Sequence, residues 1–466
     1  MVGNAPGGAA VEGKSLIRGD TIVAIATPPG RGGIGIVRIS GPGAITAAQA
    51  VTRQVRLPLR RPMLGAFHDR DNTRIDQGLV FAFAAPNSFT GEDVVELHAH
   101  GSPVVLDMIV EAVLKAGVRL AEPGEFSLRA FLNNKIDLAQ AEAIADLIDA
   151  GSRTEARAAA GSLAGELSRR VQDIRQALLD VRVIVEASID FPDEDLDLLS
   201  EYGLRERVDE QRRALNAMRE EAAQGVNLRR HPKIVIAGMP NTGKSSLLNR
   251  MTGRDSAIVT AIPGTTRDVV REQFDLQGMR LELVDTAGLR TTDDVIEVEG
   301  IRRARAEVEQ ADLVLYVVDG SRESERDPTV ILATAELGDL RAEGRVLVLV
   351  NKVDRTGEPL DDGDNGLIRI SALTGDGLGT LMTRVQQHMG LRDMTPRFLA
   401  RRRHLDAMDR TAQALLVASG FLVNAASLEL AAEELKGAQQ HLGDIVGDVS
   451  SDELLGHIFS SFCIGK

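Results

Sequence analysis

Tryptophan is absent from this chain of 466 residues, tyrosine occurs twice and cysteine once. A single thiol, Cys463, allows neither an internal disulfide nor a multi-thiolate metal site, which points to a reducing, cytoplasmic compartment. So few aromatics exclude broad stacking platforms for single-stranded nucleic acid. An excess of positive charge is missing too. Lys and Arg number 54 against 68 Asp and Glu, a net charge of −14, so any RNA contact must use local patches. No apolar run reaches the roughly 18 residues of a spanning helix, and no charged-then-apolar leader pattern opens the chain, so no membrane contact is expected. What remains is a globular balance, 43% hydrophobic and 26% charged, at a length that suggests about three domains.

The texture changes along the chain. Residues 1–19 are rich in Gly and Ala without apolar periodicity and read as a disordered extension. Thr21–Ala26, Ile36–Ile39 and Leu79–Phe83 read as strands of a mixed α/β domain spanning 20–135. A helical stretch, 136–230, follows. In it Leu163, Leu167, Val171, Ile174, Leu178, Val181 and Val185 step by three or four residues, which predicts one continuous apolar stripe on a helix. Pro192 ends that stripe, and the acidic cluster Asp193, Glu194, Asp195 and Asp197 reads as a solvated linker. Residues 231–390 alternate strand and helix patterns, with strands at Lys233–Ala237, Arg280–Val284, Leu313–Val318, Val346–Val350 and Leu367–Ile370. That alternation predicts a doubly wound sheet. Residues 391–466 are helical again, with Leu405, Leu415, Leu416, Leu422, Leu430 and Leu435 among the apolar positions. The fold class is α/β and α, multidomain: a discontinuous helical domain carrying an inserted α/β unit.

The chemistry concentrates in that unit. Gly238-Met239-Pro240-Asn241-Thr242-Gly243-Lys244-Ser245 follows an apolar strand and precedes Ser246-Leu247-Leu248, the strand–loop–helix context of a phosphate-binding P-loop. Backbone N–H groups there converge on phosphate, Lys244 adds positive charge, and the Ser245 hydroxyl suits Mg²⁺. Asp285-Thr286-Ala287-Gly288 closes a strand, aiming a carboxylate at the metal and the Gly288 amide at a γ-phosphate. Asn351-Lys352-Val353-Asp354 closes another; a carboxylate at Asp354 accepts from guanine's N1–H and exocyclic amine, a donor pair adenine lacks. Ser371-Ala372 ends the last strand, where a backbone amide reaches the guanine carbonyl. Between the first two elements, Thr266 in Gly264-Thr265-Thr266 is the switch threonine that completes the Mg²⁺ shell. These elements together predict a GTPase. Leu289 stands where Ras-type enzymes carry a water-orienting Gln, so another group must act. A monovalent cation beside the phosphates, with Asn241 among its ligands, supplies the missing charge.

Two motifs are set aside. Gly30-x-Gly32-x-x-Gly35 matches a dinucleotide fingerprint, but a strand pattern follows it, not a helix. His98 and His100 share one strand face without a third ligand and read as structural histidines. Cys463 has two readings, a small buried apolar residue or a thiolate helped by Lys466.

Other blocks carry a resemblance: Ala26-Thr27-Pro28-Pro29-Gly30-Arg31-Gly32-Gly33, Pro86-Asn87-Ser88-Phe89-Thr90-Gly91-Glu92-Asp93, Pro123-Gly124-Glu125-Phe126, Asp190-Phe191-Pro192-Asp193-Glu194 and the ending Cys463-Ile464-Gly465-Lys466. From about Asp20 to Lys466 the sequence resembles the MnmE (TrmE) tRNA-modification GTPase family. The resemblance implies that residues 20–135 bind 5-formyl-tetrahydrofolate through Arg38, Glu96 and Lys135, joined by Lys466, and mediate homodimerisation. It implies a nucleotide-binding stretch Thr260-Ala261-Ile262-Pro263-Gly264-Thr265-Thr266, extended by Leu373 beside Ser371-Ala372. It implies K⁺ held by Asn241, Thr260, Ile262 and Thr265, and water orientation by Glu297 as a catalytic residue, with Cys463 a second catalytic candidate. Val298 and Glu299 depart from the family pattern beside Glu297. The implied function is a K⁺-stimulated GTPase. With an FAD- and NADH-using MnmG-family flavoprotein it forms a heterotetramer and installs a 5-carboxymethylaminomethyl-type group on the wobble uridine of certain tRNAs. The rival reading is a regulatory GTPase that binds RNA or ribosomes without chemistry of its own, served by Arg401-Arg402-Arg403 and Leu228-Arg229-Arg230.

Overall fold

This computed structural model describes residues 19–190, 202–229, 232–251, 270–276, 279–285, 306–321, 338–357, 360, 367–389, 396–423, 427–448, 452–460, 462 and 465. The chain divides into two compact units. One comprises 1–145, 171–175 and 436–466; the other comprises 146–170 and 176–435.

The first unit is built on a six-stranded sheet of β1 (Ile22–Ile25), β2 (Gly32–Ser40), β3 (Met63–His68), β4 (Arg74–Phe83), β5 (Val94–Gly101) and β6 (Arg119–Leu120), in the order β3-β4-β5-β2-β1-β6. Neighbours are antiparallel except β1 and β6. The alternation of Val37 and Ile39 with Ile36 and Arg38 sends one set of side chains inward. There they meet α1 (Ala44–Thr52) and α2 (Pro103–Leu114) in a core with Phe67, Val80, Val95, Leu97 and Ile109. The opposite face carries Arg38, Glu96 and His98. As the strand pattern after Gly35 predicts, Gly32 and Gly35 of the glycine fingerprint lie on β2, and the fingerprint opens no helix.

Next come α3 (Glu125–Leu132) and α4 (Leu138–Asp149). Phe131, Leu138 and Ala141 pack against Leu455, Phe459 and Phe462, which lie on and just beyond α14 (Asp452–Ser460). The Phe131 and Phe459 ring centroids are 6.3 Å apart, and those of Phe459 and Phe462 5.3 Å. Residues 455–462 therefore pack against the segment 131–141, more than 300 positions earlier.

The expected single stripe is two helices, α5 (Arg153–Leu163) and α6 (Glu166–Asp190). Gly165, with φ +83°, turns the chain through the left-handed region that other residues resist, and its N–H caps α5 by donating to the Ser162 carbonyl. Leu167, Val171, Ile174, Leu178, Val181 and Val185 are all buried on α6, while Leu163 ends the preceding helix. The linker expected after Pro192 lies outside the described residues.

Long α7 (Leu204–Arg229) leads into the second sheet, whose order is β12-β11-β10-β7-β9-β8. Its strands are β7 (Lys233–Ala237), β8 (Val270–Leu276), β9 (Met279–Asp285), β10 (Leu313–Asp319), β11 (Val346–Asn351) and β12 (Leu367–Arg369). All neighbours are parallel except β8 and β9. The described helices here are α8 (Lys244–Met251), α9 (Gly338–Ala342), α10 (Val353–Thr356) and α11 (Leu378–His388). The strands read as near-continuous apolar runs because both faces of a parallel sheet are covered. After them α12 (Arg402–Phe421) packs along α7, and α13 (Leu428–Val446) follows. Leu415, Leu422 and Leu435 are buried, whereas Leu416 and Leu430 face solvent.

Candidate functional site

β7 ends at Ala237 and the chain turns at once into the loop 238–243, which delivers Lys244 to the first turn of α8. Gly243 has φ +98°, and any side chain there would collide with the Asn351 amide, so only glycine lets the loop close on its neighbour. Lys244 is buried and its Nζ donates to the carbonyls of Gly238 (2.9 Å) and Met239 (2.8 Å). Thr242 Oγ1 also donates to the Met239 carbonyl, at 2.9 Å. Ser245 and Ser246 open α8 on its exposed side. The backbone of Asp285 closes β9 in register with Ile236 of β7, which places it at the same sheet edge as the loop. Asn241 is exposed and takes a left-handed φ of +64°.

The segments 351–354 and 371–374 meet the loop from the other side. Asn351 is buried; its Nδ2 donates to the Thr242 carbonyl (2.8 Å) and its Oδ1 accepts from the Ala372 N–H (2.9 Å). The amide expected to reach a guanine carbonyl is thus engaged by Asn351, a partner that spacing along the chain does not reveal. Lys352 Nζ donates to the Asn241 carbonyl at 2.7 Å. Asp354 Oδ1 accepts from the Ser371 hydroxyl at 2.7 Å, and Thr374 donates its N–H to the same Oγ at 3.1 Å. Leu373 is exposed, consistent with a backbone role.

Asp319 escaped the sequence reading. It ends β10, in register with Asn351, and accepts from Lys352 Nζ (2.6 Å) and from Ser321 Oγ (2.6 Å). Burial alone raises its pKa; the hydrogen bonds from Lys352 and Ser321 outweigh that and bring it down to about 2. The available signal was a carboxylate closing an otherwise apolar strand just before a glycine.

Thr260, Ala261, Ile262, Pro263, Gly264, Thr265, Thr266, Thr286, Ala287, Gly288, Leu289 and Glu297 lie outside the described residues, as do the side chain of Asp285 and all of Cys463 and Lys466.

A second cluster sits on the open face of the first sheet. Arg38 Nε donates to Glu96 Oε1 (2.9 Å) and its Nη1 to the Gly465 carbonyl (3.3 Å). The guanidinium lies 5.7 Å from the Phe89 ring centroid and 5.8 Å from that of Phe126. A His98 ring nitrogen contacts Glu96 Oε2 at 3.1 Å. Lys135 Nζ donates to the Pro86 carbonyl at 2.9 Å, so the loop 86–91 touches Lys135 at one end and Arg38, through Phe89, within it. His100 pairs with Asp76, and the described residues hold no group of three or more His, Cys, Asp or Glu able to bind a metal.

Beside this cluster lies an ionic network. Arg129, buried, donates to Asp20 Oδ1 (2.7 Å), Glu92 Oε2 (3.0 Å) and Glu125 Oε1 (2.9 Å), and Arg119 pairs with Asp20 and Glu125. Burial pushes Glu125 upward, but hydrogen bonds from Arg119, the Glu122 N–H and Arg129 leave its pKa lowered; Asp20 is lowered in the same way by the two guanidiniums.

Comparison with known proteins agrees with this layout. A family model described as the TrmE N-terminus of a GTP-binding protein matches residues 21–135, and one described as the MnmE helical domain matches residues 138–463. A tRNA modification GTPase MnmE from Pectobacterium carotovorum subsp. carotovorum is 52% identical over 452 residues, covering 96% of this chain and 99% of that protein. The protein of the same description from Pectobacterium atrosepticum is 51% identical over the same shares.

Proposed function

This chain belongs to the MnmE family of tRNA modification GTPases, and from that premise we propose that it hydrolyses GTP in a K⁺-dependent cycle. In this reading it works with an FAD- and NADH-dependent flavoprotein of the MnmG family to build a 5-carboxymethylaminomethyl-type group on the wobble uridine of certain tRNAs. A tetrahydrofolate supplies the one-carbon unit, and the protein acts as a cytoplasmic homodimer. The observation that carries the GTPase half is the joining of the phosphate loop to the guanine loop through Asn351 and Lys352.

The residues suit their ligands. The loop 238–243 has a close approach that only glycine permits, and Lys244 holds its ammonium among the loop carbonyls, ready to transfer its charge to a phosphate. Ser245 and Thr266, with Asp285 behind them, would hold Mg²⁺, which supplies charge neutralisation between phosphates. Asn241, Thr260, Ile262 and Thr265 would hold K⁺, which would contribute the positive charge that an arginine finger supplies in other GTPases. Glu297 would orient water. Thr242, Ser246, the stretch 260–266 and Gly288 would contact the nucleotide. Asp354 reads guanine, supported by Ser371, Ala372 and Leu373.

Arg38 and Glu96 offer a cation and an acceptor next to two aromatic rings, a combination that fits a flat heterocycle bearing N–H donors and a carboxylated tail. Lys135 and Lys466 add cations for that tail. The Gly465 carbonyl accepts from Arg38 at this cluster, and Cys463 is carried in this reading as a second catalytic candidate. The test pairs two measurements. Hydrolysis in KCl should exceed that in NaCl by at least tenfold at equal ionic strength, and mass spectrometry of wobble nucleosides from cells lacking the protein should show the modification missing. Equal rates in the two salts overturn the K⁺ reading, and unchanged nucleosides overturn the modification.

A further inference from the structure

In the second unit, two non-glycine residues with left-handed backbones meet at one hydrogen bond: Asn241, φ +64°, offers its carbonyl to the ammonium of Lys352, φ +72°. Backbones held in that region cost about 1–3 kcal/mol each and persist only where their surroundings over-determine them. The group that fixes this junction is Asp319. Its Oδ2 takes the same ammonium at 2.6 Å, while Ser321 donates both N–H and hydroxyl to Oδ1 and so sets the carboxylate plane. The pair is largely enclosed, with side-chain exposures of 8% for Asp319 and 22% for Lys352. An enclosed ion pair fixes the relative placement of its two partners, whatever it adds to stability. What the pair does supply is direction: among the described residues Asp319 is the carboxylate paired with Lys352, and without it the flexible four-carbon stem is no longer aimed at Asn241.

We propose that Asp319 is a positioning residue for the nucleotide, acting through Lys352 to hold the phosphate loop at Asn241. The inference rests on the GTPase reading above and adds a link to it. The loop that reads the base also sets the shape of the loop that grips the phosphates. Because the pinned carbonyl belongs to Asn241, whose side chain is assigned to K⁺, the cation response is set by the same pin.

The test uses the full-length protein and a fluorescent GDP analogue. Asp319→Asn, close to isosteric, should speed nucleotide dissociation and weaken affinity by about tenfold, the usual worth of one hydrogen bond to a charged group. Lys352→Met should do at least as much, and the double variant should be no worse than Lys352→Met alone. In Asp319→Asn the K⁺ concentration that half-saturates hydrolysis at saturating GTP should rise, and Asp319→Glu, which keeps the charge, should recover part of the affinity. A carboxylate that served only the fold would lower the melting temperature, leave the half-saturating K⁺ unchanged and add its effect to that of Lys352→Met. An unchanged dissociation rate, or additive losses, overturns the proposal. Should Asp319→Asn fail to fold, Lys352→Met opens the same bridge from its other end, and unchanged dissociation there overturns the proposal equally. If the wild-type protein itself fails to bind the analogue, it is the GTPase reading that falls.

Discussion

Asn351 acts as a strut. Its amide ties the Thr242 carbonyl to the Ala372 N–H, so one side chain joins β11, the phosphate loop and the loop after β12. In the proposed reading base discrimination then falls to Asp354, whose carboxylate accepts from the Ser371 hydroxyl. Asp354→Asn should weaken GTP by on the order of a hundredfold, since a charged acceptor facing two donors is lost, and should shift preference toward xanthosine triphosphate. Competition binding with the two nucleotides checks this, and retained GTP preference contradicts the assigned pairing. That the chain is a GTPase was legible because phosphate and guanine each demand particular groups at fixed distances along a strand–loop–helix unit. Asp319 was not legible, since a lone acid at a strand end has no motif and its partner lies 33 residues away.

At the scale of elements, the helix α6 shows how far periodicity reaches. Its stripe from Leu167 to Val185 is buried as the spacing predicts, yet the same spacing runs unbroken through Leu163 across a break it does not register. The side-chain pattern reports which face is apolar, not whether the backbone stays helical, and the only warning was Gly165. Gly165→Ala should therefore destabilise the protein by about 1–2 kcal/mol, because alanine resists the left-handed conformation, whereas Ala164→Gly should cost no more than about 1 kcal/mol. Denaturant midpoints for the two variants distinguish them; equal losses would mean that Gly165 is not required as the hinge. Among strands, β7, β10 and β11 were plain as apolar runs. In contrast β3, β6 and β8 were missed because two are partly polar edge strands and the third is two residues long, so neighbours rather than propensity hold them in the sheet.

Across the whole chain, long-range ion pairs tie segments that no local pattern connects. Asp20 reaches Arg119 and Arg129, 99 and 109 residues on, and Glu92 and Glu125 complete the set. Because Asp20 and Glu125 titrate below their ordinary values near 4, they contribute stability at neutral pH that is lost as the pH falls from about 4 through their lowered pKa values. Circular-dichroism melts should show the melting temperature dropping over that range, with a shallower drop in Arg119→Met, where the two acids lose a shared cation; parallel acid profiles for the two proteins would refute the assignment.

The contact between Arg38 and Gly465 spans 427 residues, which sets a delay on the ribosome. At roughly 5–20 residues per second, on the order of twenty to ninety seconds separate the emergence of the guanidinium from that of the carbonyl it binds. Throughout that interval the nascent first sheet carries an unfinished cluster, which is completed only once translation has passed Gly465.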